Sequence, residues 1–144
     1  MIEISNLIPI LLFGILISVC GLFEAPYDRS HMIVCEGHLC IKDNFNTCTP
    51  AYGNIIENDF NIYIEIRELK DNGRCETFIR LEEINLDEVP DNLRSIASLA
   101  TGASMICEVE AHEKDILLRG EFDKSMLNRC NGILANALST AMKD

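Results

Sequence analysis

The residues of this chain best equipped for chemistry crowd into "VCEGHLCIKDNFNTCTPA", residues 34–51, where Cys35, His38, Cys40 and Cys48 lie close together. Thiolates and an imidazole at that density can hold a zinc ion, run thiol redox chemistry, or form part of a disulfide framework. A tetrahedral zinc site wants paired ligands such as C-x2-C, so that two thiolates reach one ion. Cys35, His38 and Cys40 give only C-x2-H-x-C, and no matching second pair follows. On a helix the His38 ring would also lie off the face that the two cysteines share.

Counting the cysteines favours the framework. There are seven: Cys20 in an apolar leader, then Cys35, Cys40, Cys48, Cys75, Cys107 and Cys130. An even set scattered through a small domain behind an export segment reads as three disulfides, with no metal and no cofactor. A metal-binding or thiol-redox domain using Cys35, His38, Cys40 and Cys48 is the alternative. Connectivity does not follow from the sequence; because Cys75 and Cys107 both fall on expected strands, a Cys75–Cys107 bridge is expected.

Other catalytic groupings are not seen. His31, His38 and His112 have no spacing that ties them to a nucleophile, and G-x-S-x-G, H-E-x-x-H and phosphate-cradling glycine loops are absent from the sequence. The carboxylate pairs Glu82–Glu83 and Asp87–Glu88 read as solvated surface. "KDNFN" and "ENDFN" lack the ligand spacing and glycine of a calcium loop. The expectation is a protein that is not an enzyme.

Charge narrows the partners. With 23 Asp+Glu against 12 Lys+Arg the net charge is −11, and no Lys/Arg cluster occurs. Such a field repels a phosphate backbone, so nucleic acid is not expected as a partner.

The elements that must position these residues begin with the leader. Residues 7–23, "LIPILLFGILISVCGLF", carry no charge, which fits a signal-peptide core or a short membrane anchor better than a globular helix with a polar face. The preceding "MIEISN" lacks the basic residues of a standard signal. Ser18 and Cys20 would serve a cut before Gly21; retention as an anchor and lipidation of Cys20 are the other outcomes. Either way the protein is expected to be extracytoplasmic, secreted or membrane-anchored at the N-terminus. The organisation is then 1–23 signal peptide or membrane anchor, 24–34 linker, and 35–144 a single disulfide-rich domain.

Within that domain a short helix is expected over 36–47, ended by Pro50. "FNIYIEIREL" (60–69) alternates, with Phe60, Ile62, Ile64 and Ile66 on one face and Asn61, Tyr63, Glu65 and Arg67 on the other. Asn72-Gly73 marks a hairpin, and "CETFIRLEE" returns with Cys75, Thr77, Ile79 and Leu81 inward. A helix is expected within 85–103, on Val89, Leu93, Ile96 and Ala100. "SMICEVEA" and "DILLRGEF" read as two further strands, and residues 123–143 as one amphipathic helix weakened at Gly132. The fold class is α+β: an antiparallel sheet of about four strands with N-terminal and C-terminal helices packed on it, disulfide-stabilised, behind a hydrophobic leader helix.

The aromatics Tyr52, Phe60, Tyr63 and Phe78 could form a recognition face for a peptide or glycan, unless the helix carrying Cys130 covers that side of the sheet; Tyr63 and Phe78 fall on the outward phase of neighbouring strands and are the candidates for a face that binds a protein partner at the cell surface. If the leader is retained, the membrane is a second partner.

The cysteine contexts taken in order, C-x4-C, C-T-P-A, N-G-x-C, S-M-I-C-E-V and C-N-G-I-L, resemble a pattern in small exported archaeal domains of unknown function that carry six cysteines. The resemblance spans residues 35–140, departing at Ile41 and Ile106 and over 90–102. It implies a secreted or membrane-tethered disulfide domain and brings no activity.

Overall fold

A computed structural model describes residues 27–142 apart from 58, 59, 90, 92 and 93. The leader, the expected cut before Gly21, Cys20, Pro90 and Leu93 lie outside the described residues. The chain divides into two compact units, Met1–Ser30 and His31–Asp144. Of the first, only residues 27–30 are described; there the Ser30 N–H donates to the Asp28 carboxylate at 2.9 Å.

The second unit is built on a six-stranded sheet in the order β1 to β6. The elements run β1 (Ile33–Glu36), α1 (His38–Thr47), β2 (Ala51–Ile56), β3 (Phe60–Leu69), β4 (Cys75–Ile84), α2 (Arg94–Ala100) and β5 (Ser104–Val109). A 3-10 turn (Ala111–Glu113) leads to α3 (Lys114–Leu118), α4 (Lys124–Leu127), β6 (Cys130–Asn131) and α5 (Ile133–Ala141). Strand β1 is parallel to β2 and the remaining pairs are antiparallel. Parallel neighbours need a crossover, and α1 supplies it.

Period-two alternation sets the sheet's inner face. Ile62, Ile64 and Ile66 on β3 stand opposite Leu81, Ile79 and Thr77 on β4, and the last two stand opposite Met105 and Cys107 on β5. All are buried. Against them pack Ile41 and Phe45 of α1, Leu117 and Leu118 of α3, Met126 and Leu127 of α4, and Leu134 and Ala135 of α5, in one continuous core. Ile41 and Phe45 are four residues apart and so share a helix face; Leu39 points out and is 76% exposed.

Four expectations are corrected. The sheet has six strands and is mixed, whereas about four antiparallel strands were expected. The two extra N-terminal strands escape a pattern reading because β1 is short and β2, "AYGNII", carries a glycine at its centre. That glycine is required: an ideal Cβ on Gly53 would collide with the Cys35 carbonyl oxygen of β1, which the register places directly opposite. Strand β1 also takes up Ile33 and Val34 from the stretch read as linker.

"DILLRGEF" is not a strand. Glu110 and Glu113 form a reciprocal capping box, the Glu113 carboxylate accepting the Glu110 N–H at 2.9 Å, and this starts the turn that runs into α3. Leu117 and Leu118 are then both buried, which a half-exposed strand cannot do with consecutive residues. The C-terminal helix is also divided. Asp123 caps α4 by accepting the Met126 N–H at 2.7 Å, and Cys130–Asn131 then pairs with β5. Gly132, at φ 129°, passes so close that an ideal Cβ would stand 2.6 Å from the Ser104 carbonyl oxygen. No L side chain is comfortable there, so the chain leaves the helical path before α5 begins.

Candidate functional site

The fourth correction concerns the cysteines. Cys35 pairs with Cys40, Cys48 with Cys75, and Cys107 with Cys130, with Cα separations of 5.4, 5.4 and 4.0 Å; the expected Cys75–Cys107 bridge is not made. Cys75 and Cys107 do stand on neighbouring strands, but the register opposes Cys107 to Thr77 and Cys75 to Val109. Cys107 instead faces Cys130 across β5–β6. One step along, the Glu108 N–H donates to the Arg129 carbonyl, so Cys107 and Cys130 occupy the non-hydrogen-bonded position, where side chains approach most closely. Cys48, in the left-handed conformation at the end of α1, ties that helix to the start of β4.

The four residues of the metal or redox alternative are therefore not brought together as a ligand set. Cys35 and Cys40 bond to each other, and Cys48 is committed to Cys75. His38 Nε2 lies 2.8 Å from a Glu57 carboxylate oxygen. Among the described residues no group of three or more His, Cys, Asp or Glu side chains is placed to hold a metal ion.

Tyr63 and Phe78, by contrast, do meet. They lie on the face of β3 and β4 away from the helices, with ring centroids 6.3 Å apart in an edge-on arrangement. Tyr52 of β2 extends the row, its centroid 6.2 Å from that of Tyr63. The register explains the assembly: Tyr52 and Phe78 both stand opposite Glu65, and Arg80 stands opposite Tyr63. The Arg80 guanidinium lies 4.9 Å from the Tyr63 ring centroid and that of Arg67 lies 4.8 Å from the Phe78 centroid, where the ring quadrupole attracts a cation.

At the centre is Glu65, whose side chain is fully buried. The Tyr63 hydroxyl donates to its Oε1 at 2.9 Å and Arg67 Nε–H donates to its Oε2 at 3.0 Å. A buried carboxylate is tolerable only with such charge-assisted partners. The sequence put Asn61, Tyr63, Glu65 and Arg67 on one face and counted Tyr52 among the aromatics of a recognition face; what it missed was Arg80 and which residues stand opposite one another, a matter of register. A bulge sharpens the arrangement. Ile66 pairs with Thr77 and Glu68 with Glu76, so Arg67 is the extra residue, and bulges re-aim side chains.

A second polar cluster lies at the far end of β5. Arg129 pairs with the nearly buried Glu113, donates to the Glu108 carbonyl at 2.8 Å and lies 3.8 Å from Glu110. Arg74 binds Glu110 at 2.9 Å. That hydrogen bond from Arg74 holds the Glu110 carboxyl below the usual carboxylate range, and Glu113 holds the Arg129 guanidinium more firmly protonated. These contacts brace the turn into α3.

Three cysteine pairs at bonding distance are consistent with an extracellular location. Among the described residues no helix is long and apolar enough to cross a membrane. No protein-family model, curated protein or solved structure matches the chain.

Proposed function

We propose that this protein is an extracytoplasmic, disulfide-stabilised module, secreted or membrane-tethered, whose outer sheet face binds a protein partner or supports an envelope structure by contact rather than by turnover. The observation that carries the reading is the row of partly exposed Tyr52, Phe78 and Arg80 on the outer face of β2, β3 and β4, backed by Tyr63, which is itself buried at 8% exposure, and by the largely covered Arg67. Aromatic and arginine side chains are enriched among the residues that dominate protein recognition, the rings because they bring large contact area at low rotamer cost and arginine because its planar guanidinium pairs, stacks and sheds water readily. The three disulfides support the compartment, and the ordered cysteine contexts support kinship with the small exported archaeal six-cysteine domains.

Two measurements test this. Intact mass from an export-competent host is expected to show a chain shortened at its leader, or retained with membranes, that gains alkyl groups only after reduction. A photo-crosslinker at position 52 on intact cells is expected to give one dominant protein adduct. That adduct is lost in Arg80→Glu and is not formed from position 99 on α2. Equal labelling from both positions would sink the binding-face reading.

A further inference from the structure

The three disulfides are not equivalent. Cys48, Cys75, Cys107 and Cys130 are all buried and join segments 27 and 23 residues apart. The Cys35–Cys40 bond spans only five positions and is asymmetric: Cys35 is buried at 5% exposure beneath the edge of the sheet, whereas Cys40 is partly exposed. We infer that Cys35–Cys40 is an exchange-active disulfide that oxidises a peptide dithiol, entered at the Cys40 sulfur.

The surroundings provide for negative charge on either sulfur. Cys40 is the third residue of α1, a ten-residue helix. The first N–H groups of a helix point outward unpaired and carry the positive end of its dipole. Here the N-cap is Gly37, no side chain caps the helix, and its first turn holds no acidic residue. A thiolate at Cys40 would therefore be the first anion to use that field, the situation that lowers cysteine pKa values. Asn44, one turn on, places its Nδ2 3.7 Å from both sulfurs, fixed there by donating to the Cys40 carbonyl at 2.8 Å. One amide donor thus serves whichever sulfur is leaving. His38, beside the site in sequence, is engaged by Glu57.

The reaction balances as two displacements. A substrate thiolate attacks Cys40 Sγ, forming a mixed disulfide; the Cys35–Cys40 bond breaks and its electron pair leaves on Cys35 Sγ, next to the Asn44 amide. The second thiolate of the same substrate then attacks its own sulfur in the mixed disulfide, closing the substrate disulfide and releasing Cys40 as a thiolate at the helix N-terminus. Two electrons pass from substrate to protein, and the two substrate protons end, through solvent, on Cys35 and Cys40. A disulfide donor resets the site by the reverse steps. The two longer bridges hold the fold throughout, and the outer sheet face plays no part, so this inference stands independently of the binding reading.

The test is a dithiothreitol titration of the full chain, quenched with N-ethylmaleimide and mapped by peptide mass. The expected result is two alkyl groups, on Cys35 and Cys40, at a reductant concentration at least tenfold below that which opens the other two bridges, with the far-ultraviolet circular dichroism unchanged. Joint or later reduction of Cys35–Cys40 overturns the inference. Activity is read separately by mixing the oxidised protein with a fluorogenic dithiol peptide. Oxidation at least tenfold faster than by equimolar oxidised glutathione is expected, and an equal or slower rate overturns it. Run in the reverse sense, with the peptide supplied in its disulfide form, the Cys40 thiolate of Cys35→Ser is expected to displace one peptide sulfur as a thiolate and hold the other in a mixed disulfide; faster formation of that adduct on Cys35 of Cys40→Ser assigns entry to the wrong sulfur and overturns the mechanism.

Discussion

Gly53 of β2 and Cys35 of β1 stand opposite one another so closely that a methyl group on Gly53 would run into the Cys35 backbone carbonyl. The obstacle is main chain and has no rotamer to escape into. Gly53→Ala is expected to push β1 off the sheet edge and destabilise the domain by about 1–3 kcal/mol, the usual range for overpacking. Urea denaturation reads the cost. Hydrogen exchange should show faster amide exchange at residues 33–36 with β3 and β4 little changed; uniform loosening, or none, would contradict the contact.

The disulfides should differ in worth because they close loops of different length. In the chain-entropy account, pairing residues 27 and 23 apart stabilises by about 3–4 kcal/mol, and closing the five-residue span of Cys35–Cys40 by about 2 kcal/mol. Paired serine variants of Cys48–Cys75 and Cys107–Cys130 are thus expected to lose more than the Cys35–Cys40 pair in denaturant melts. The reverse order would show that native-state packing, and not loop closure, sets their value.

Arg129 is 17% exposed and its partner Glu113 only 5%. Removing the guanidinium leaves a carboxylate with little water, and Arg129→Ala is expected to cost about 2–4 kcal/mol, slightly discounted for the exposed edge of the pair. Glu113→Gln should cost less, since the amide oxygen can still accept the Glu110 N–H. A double-mutant cycle measures the coupling; independent effects would mean that the pair contributes only packing.

Arg74 lowers the folded-state pKa of Glu110 beneath its ordinary 4.5. A depressed carboxyl contributes stability that is fully present above the unfolded value and is lost as pH falls through the lower, folded value. Asp115, lowered by its hydrogen bond from Lys42, acts in the same sense. The difference in Tm between the parent and Glu110→Gln is therefore expected to be largest near neutrality and to shrink on acidification below about 4.5. A gap independent of pH would remove the Arg74–Glu110 pair as its origin.

Much of the central sheet was legible in the sequence. Strands β3 and β4 follow from strict alternation, because a side chain two positions on must return to the same face. Phe60–Leu69 and Cys75–Ile84 match those runs, joined at the expected Asn72-Gly73 turn. The even number of cysteines behind an apolar leader likewise pointed to a bridged framework.

The tertiary structure decided what depends on neighbours distant in the chain. Pairing of Cys107 with Cys130 required the C-terminal segment to break its helix at Gly132 and lie along β5, which turns on how near that glycine comes to Ser104. The helical fate of Lys114–Leu118 rests on Glu110 and Glu113 capping each other, a local signal that the apolar run "ILL" outweighs in a pattern reading. Tyr63 and Phe78 could be put on one face from periodicity alone. Whether they touch, and that Tyr52, Arg67 and Arg80 gather with them around a buried Glu65, was fixed by strand register, because cross-strand distances depend on which residues stand opposite and a pattern along one strand contains no such information.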